Sequence, residues 1–245
     1  MGCFKISAFQ VTLAVLAGFL VTLQVSASKP VSLDGVEYRV DSTISHDVCI
    51  VGGGSSGTYA AIRLSDMGKC VLVIEQQDRL CGHTETYTEP MSRLKYDIGV
   101  EVGIGDTLAQ PTLYLIKNFG SDILRIIQIG FLTTEHHDNS LLYEHATEAL
   151  NENILLNSKV IKLKRSSQGR VRVVVSTRAD LTLVTCQELI MAVPPKLESL
   201  DGWDLDSNER HSFAQIVNTG YYTGLLRNTG LPSDISIVNV SPKTE

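Results

Sequence analysis

Gly52, Gly54 and Gly57 follow the apolar run Val48 to Val51 at the spacing G-x-G-x-x-G, and Glu75 closes a second apolar run, Val71 to Ile74. Residues of these types in this order can hold a dinucleotide. A buried strand that turns at once into a helix aims the helix's first N–H groups at a pyrophosphate. Gly52 permits the turn, Gly54 lets the backbone approach the phosphates, and Gly57 lets the helix pack closely on the strand. An acidic side chain roughly 20 residues further on, at the tip of the next strand, accepts the adenosine ribose hydroxyls, and Glu75 stands there. The elements that must position these groups are a β-α-β unit. Its helix carries Ala61, Leu64 and Gly68 on one face, with Gly68 where a left-handed C-cap is expected.

The segment after Glu75 separates a flavin from a nicotinamide. Glu75, Arg79, Cys81 and Gly82 follow the spacing E-x-x-x-R-x-G-G, and here the chain resembles the flavin-containing amine oxidase superfamily, in its fungal, beta-cyclopiazonate dehydrogenase-like branch. Further patterns of that branch are Gly82 to Tyr87, Tyr96 to Val100, Leu189 to Pro195, and Asn218 to Gly230. The resemblance implies FAD as the cofactor, with Ser55, Ser56 and Arg79 on the pyrophosphate and Glu75 on the ribose. It further implies that Gly82 and His83 lie near the flavin and that the backbone of Val160 touches the adenine. A guanidinium forks onto phosphate oxygens, and glycine allows close approach. Cys81 departs from the pattern at the first position of the Gly-Gly pair, where a side chain would crowd the cofactor, and His83 replaces the commoner Arg.

With 245 residues and 43% hydrophobic content, the chain can build one large domain or two small ones; its net charge of -6 leaves no basic footprint for nucleic acid. A small-molecule substrate is the expected partner. Lys5 precedes an apolar run from Ile6 to Val25, and small residues at Val25-Ser26-Ala27 suit a cleavage site. Residues 1–27 therefore read as a secretory signal peptide, or as a membrane anchor if uncleaved, and the first 30 residues are expected to lie outside the fold. Secretion favours a tightly held flavin over a dissociable nicotinamide that needs a cellular pool.

Cys49, Cys70, Cys81 and Cys186 beyond the leader are an even count that permits disulfides in a secreted protein, but their spacings are irregular, and Cys49, inside the first strand, is expected to be a buried free thiol. No C-x-x-C is present, and His136-His137-Asp138 reads as a polar loop before a helix, so no metal site is expected. Thr107 to Ile129 has near-helical apolar spacing. Leu141 to Leu150 reads as a helix with Leu142, Ala146 and Leu150 on one face. Strands follow at Ile154 to Leu156, at Val160 to Leu163, at Val171 to Thr177 as an edge or hairpin strand, and at Glu188 to Val193, which stops at Pro194-Pro195.

These elements predict an α/β fold, an FAD/NAD(P)-binding Rossmann-like parallel sheet with a reduced second, substrate-side region. Residues 45–101 form the FAD-binding β-α-β part, 102–152 a reduced helical region, 153–195 the return to the FAD-binding domain, and 196–245 a substrate-side C-terminal segment. Amine oxidase-like chains are considerably longer, so the resemblance implies that a substrate domain and the segment covering the flavin ring are missing. The expected function is FAD-dependent oxidation of a small amine or related metabolite, with hydride transfer to the flavin. The alternatives are a non-catalytic dinucleotide-binding fragment and an NAD(P)-dependent dehydrogenase. Tyr221-Tyr222 reads as packing, and no residue takes a catalytic assignment.

Overall fold

The structure, a computed structural model, describes residues 5–6, 28–98, 138–167, 169–178, 180–217, 223–226 and 230. Two strands and a helix set its frame. β4 (Ser42–Val51) runs parallel to β5 (Val71–Ile74), joined by α1 (Ser55–Asp66), with Val48 opposite Val71 and Val51 opposite Ile74. All four side chains of β5 are buried, as a strand covered on both faces requires. Gly68, just past α1, has φ +77°, the left-handed turn that ends the helix.

Among the described residues β4 and β5 lie in a seven-stranded sheet. β8 (Ile154–Leu155) adds in parallel beside β5, and β11 (Leu181–Met191) lies parallel to β4 on its other side. β10 (Val171–Ser176) and β9 (Lys159–Arg165) then continue antiparallel from β11. A two-residue strand, β1 (Lys5–Ile6), pairs with Ile44 and Thr43 of β4. The predicted mixed α/β fold with a mostly parallel sheet is therefore present.

Several elements differ from their sequence expectation. β11 begins at Leu181, seven residues before the predicted Glu188, because Thr182 to Cys186 pair with Ser42 to His46 in a part of β4 that also extends earlier than expected. β10 is the hairpin strand of the two alternatives, not the edge strand. It lies between β9 and β11, and Val173, Val174 and Val175 are all buried, since a hairpin covers its second face. That hairpin, β2 (Lys29–Leu33) and β3 (Val36–Val40), turns at Asp34-Gly35 with φ +51° and +77°, the mirror-image turn that asks for such a pair. Leu33 and Val40 pack on Val174 and Leu183. Lys29 and Pro30 thus belong to a strand, although the sequence placed them outside the fold. Asp34 sits between the ammonium groups of Lys162 and Lys164, at 2.9 and 3.0 Å, and these hold its carboxyl below the ordinary value.

Helix α2 (Ser140–Leu150) buries Tyr143, Ala146 and Leu150. Leu142, expected on that face, is 64% exposed; the i, i+3, i+7 stripe starts one residue later because the aromatic ring packs against α1 and β5. A further hairpin, β6 (Glu85–Thr88) with β7 (Lys95–Ile98), leads from the nucleotide half toward α2. The last element is α3 (Ser207–Ala214), started by a capping box between Asp206 and Glu209. The helices expected within Thr107 to Ile129, the leader up to Ala27 apart from Lys5–Ile6, and Tyr221-Tyr222 fall outside the described residues. Among the described residues no helix is long and apolar enough to cross a membrane.

Cys49 is not a free thiol. It is joined to Cys186 by a disulfide with a Cα–Cα distance of 5.9 Å. The β4–β11 ladder skips Asp47 and Gln187, and past that skip the two strands exchange faces, so Ile44, Cys49 and Val51 share one core with Val184, Cys186 and Met191. The exchange brings the two sulfurs together, and plain alternation conceals it. Cys81 is free and buried.

Candidate dinucleotide-binding site

The predicted turn is assembled at the carboxyl ends of β4 and β5. The Gly52 N–H donates to the Ile74 carbonyl at 2.9 Å, and its φ of +105° suits only glycine. A side chain there would also strike the Ala192 carbonyl at 2.8 Å. Gly57, one turn into α1, lies so close to the strand that a Cβ would stand 1.9 Å from the Gly52 carbonyl oxygen. At Gly54, by contrast, the nearest atom to an added Cβ is the Gly82 Cα at 3.6 Å. The glycine spacing thus corresponds to two packing contacts and one open face.

That open face fronts the start of α1. Gly54 is the N-cap residue and no side chain caps the helix. The first helical bond runs from the Thr58 N–H to the Gly54 carbonyl, 2.9 Å, so the amides of Ser55, Ser56 and Gly57 precede the ladder. Together with the positive end of the helix dipole they make a cradle for an anion.

Glu75 is buried, with 6% of its surface exposed. Its Oε2 accepts the Gly53 N–H at 2.5 Å and its Oε1 the Gln77 N–H at 2.8 Å. Each carboxylate oxygen keeps a second acceptor position, so the side chain can still receive hydroxyls. Gly53 was not singled out in the sequence, yet it is as constrained as its neighbours: a Cβ there would meet Leu80 at 2.4 Å and Glu75 at 3.2 Å.

A groove of about 450 Å³ opens beside this carboxylate. Of the residues expected at the site, Gly52, Glu75, His83 and Val160 line it. Val160 reaches the groove because the chain leaving β8 is tied to the end of β5, the Ser158 N–H donating to the Glu75 carbonyl at 2.8 Å. Lys159 and Lys196 add positive charge to its wall, and Trp203 closes one side. Gly54, Ser55, Ser56, Gly57 and Gly82 gather at the adjoining start of α1, where a Cβ on Gly82 would meet the Gly54 Cα at 2.8 Å.

Arg79 and Cys81 are engaged with each other. The Arg79 Nε donates to the Cys81 Sγ at 3.1 Å, and its guanidinium lies 3.8 Å from Glu85. The Cys81 thiol packs in the core shared with Leu80 and Tyr143, and Cys81 is not among the residues that line the groove. Its backbone still has the conformation of a glycine, φ +154°. Among the described residues no cluster of His, Cys, Asp or Glu has a metal-holding arrangement, and Asp138 instead pairs with Lys95. Burial raises the Asp138 carboxyl, but the Lys95 ammonium and hydrogen bonds outweigh this and hold it below its ordinary value.

One polar contact at this end was not legible in the sequence. Tyr143, from α2, places its hydroxyl 2.6 Å from the Ser55 Oγ. Nothing in the local pattern of α2 marks that tyrosine as different from a core aromatic.

The fold is α/β with a Rossmann-like β-α-β unit, and residues 50–106 match the family model of an NAD(P)-binding Rossmann-like domain. The chain is similar to fungal proteins named FAD-dependent oxidoreductases and beta-cyclopiazonate dehydrogenases. It is 24% identical to an FAD-dependent oxidoreductase of Cochliobolus heterostrophus, over 89% of this chain and 68% of the relative. It is 27% identical to the beta-cyclopiazonate dehydrogenase of Aspergillus flavus, over 82% of this chain and 67% of that enzyme. The chain thus spans about two thirds of the length of the curated relatives it matches. The first of these matches runs over 330 residues, so at least 85 positions of the relative (330 less 245) face no residue of this 245-residue chain. Among solved structures, a fatty acid isomerase from P. acnes shares the fold with a TM-score of 0.52 at 14% identity, over 70% of this chain and 64% of the isomerase.

Proposed function

We propose that this chain binds FAD and acts as an oxidoreductase on a small amine or a related metabolite. Two supports carry the FAD assignment: the buried Glu75 carboxylate at the tip of β5, beside a glycine turn whose open face at Gly54 fronts the start of α1, and relatives named as FAD-dependent. In this reading Glu75 holds the ribose and Val160 offers backbone to the adenine. Ser55, Ser56 and the first amides of α1 hold the pyrophosphate. Arg79 joins them by exchanging its Cys81 contact for a phosphate oxygen. Gly82 and His83 stand on the flavin side. Bound FAD supplies the hydride acceptor; the chain's residues supply position and charge neutralisation. An FAD-loaded, yellow purified protein supports the assignment, and a protein that takes up neither FAD nor ADP rejects it.

A second reading, a dinucleotide-binding protein without catalysis, rests on the positions that the relatives have and this chain lacks. Orientation and proximity account for roughly 7–11 kcal/mol of a barrier, and an incompletely covered reaction centre forfeits part of that. Amine-dependent peroxide production by the purified chain separates the two readings. Turnover of about 1–10³ per second identifies an enzyme, and a rate equal to that of free FAD identifies a binding protein.

A further inference from the structure

Tyr143 stands 88 residues from Ser55 in the chain, and the Tyr143 hydroxyl is the atom that reaches the side chain at the first position of α1. It is buried, and it makes a second bond: the Thr84 Oγ1 donates to it at 3.3 Å. Thr84 is itself buried. A tyrosine hydroxyl has one proton. Thr84 donates to the Tyr143 oxygen, so the Tyr143 proton is available to the Ser55 Oγ; with Tyr143 as the donor of that bond, the Ser55 proton is left for a further acceptor. Ser55 is exposed at the mouth of the anion cradle. Hydrogen bonds aligned in one sense polarise one another.

We infer that Tyr143 is a positioning residue of the pyrophosphate site: the relay Thr84 to Tyr143 to Ser55 fixes the Ser55 hydroxyl as a donor toward a phosphate oxygen. This rests on the proposed dinucleotide site and adds a residue to it from an element outside the β-α-β unit. The relay also gives α2 a part in recognition, since Tyr143 is held there by packing with Leu80, Cys81 and Leu150.

The test compares ADP with adenosine on the full chain, by calorimetry or competition, in wild type, Tyr143→Phe, Ser55→Ala and the double variant. Tyr143→Phe keeps the ring and removes the relay, so ADP binding should weaken about two- to tenfold, the range of one net hydrogen bond, while adenosine binding stays unchanged. The double variant should bind ADP no more weakly than Ser55→Ala alone, because Tyr143 acts through Ser55. Equal losses for ADP and adenosine would show a merely structural role and overturn the relay. Unchanged ADP affinity in Tyr143→Phe, or additive losses in the double variant, would overturn it also. If wild type binds neither ligand, the dinucleotide assignment itself falls, a result distinct from the others.

Discussion

Gly53 and Glu75, 22 residues apart, are joined by a 2.5 Å hydrogen bond from the glycine amide to the carboxylate. The acidic side chain therefore braces the glycine turn as well as facing the groove. Replacing Glu75 with Gln leaves one of the Gly53 and Gln77 amides facing an NH₂ group. The expected loss is about 1–3 kcal/mol of unfolding free energy, the cost of a buried donor without its acceptor, together with weaker binding of both ADP and adenosine. Urea titration and calorimetry on the same variant check the two effects. A fully stable variant with wild-type affinity would contradict both roles.

Gly57 and Gly68 make opposite predictions about an added methyl group. At Gly57 the methyl would enter the space of the Gly52 carbonyl oxygen, so Gly57→Ala should cost about 1–3 kcal/mol by overpacking and shift the turn that cradles the anion. At Gly68 there is open space but φ is +77°, so Gly68→Ala should cost only about 1 kcal/mol and leave nucleotide affinity unchanged. Thermal melts with and without ADP distinguish the two.

The disulfide between Cys49 and Cys186 closes a loop with a sequence separation of 137, tying the first half of the sheet to the strand that returns to it. A loop of that size gives about 4–5 kcal/mol in the chain-entropy account. Cys186→Ala, or strong reductant on the wild type, should therefore lower the urea midpoint substantially. Identical midpoints with and without reductant would show that the bond does not stabilise the fold.

Glu209 ties α3 to the sheet through Arg165, whose guanidinium meets it at 2.7 and 2.8 Å. The Arg165 hydrogen bonds, aided by the Asp206 amide of the capping box, pull the Glu209 carboxyl down to about 2. A depressed carboxylate contributes stability that is present above its unfolded value and lost as pH falls through the folded one, here from about 4.5 toward 2. Both side chains are partly solvated, so the contribution is about 1 kcal/mol or less. Trp203, the single tryptophan, lines the cavity that Glu209 also lines, and reports the change. Its emission should shift between pH 4.5 and 2 in the wild type, and at higher pH in Arg165→Gln. Coincident titrations would remove Glu209 as the cause.

The nucleotide half was legible because close packing forces residue types. A Cβ has no room at Gly52 or Gly57, and a strand buried on both faces must read as Val71-Leu-Val-Ile74. The disulfide was hidden because a skipped pair at Asp47 and Gln187 swaps faces, and period-two reasoning assumes that no such skip occurs. Leu142 misled for a related reason: on a short helix either of two adjacent stripes fits the spacing, and only the tertiary partner of Tyr143 selects one. The Asp34-Gly35 turn and the alternation Val36-Glu-Tyr-Arg-Val40 beside it are a legible hairpin signal, although they lie only a few residues past the apolar leader. Tyr143 carried no local signal, because its role depends on a residue 88 positions away.

The Asn139 N–H donates to the Asp97 Oδ1 at 2.8 Å, and Lys95 pairs with Asp138. With the Ser140 N–H donating to the Thr86 Oγ1 at 3.1 Å, these contacts latch the start of α2 to the β6–β7 hairpin. The helix that carries Tyr143 is thus fastened at its first turn to the hairpin that begins just after Thr84, so the angle at which Tyr143 meets Ser55 is set from two sides.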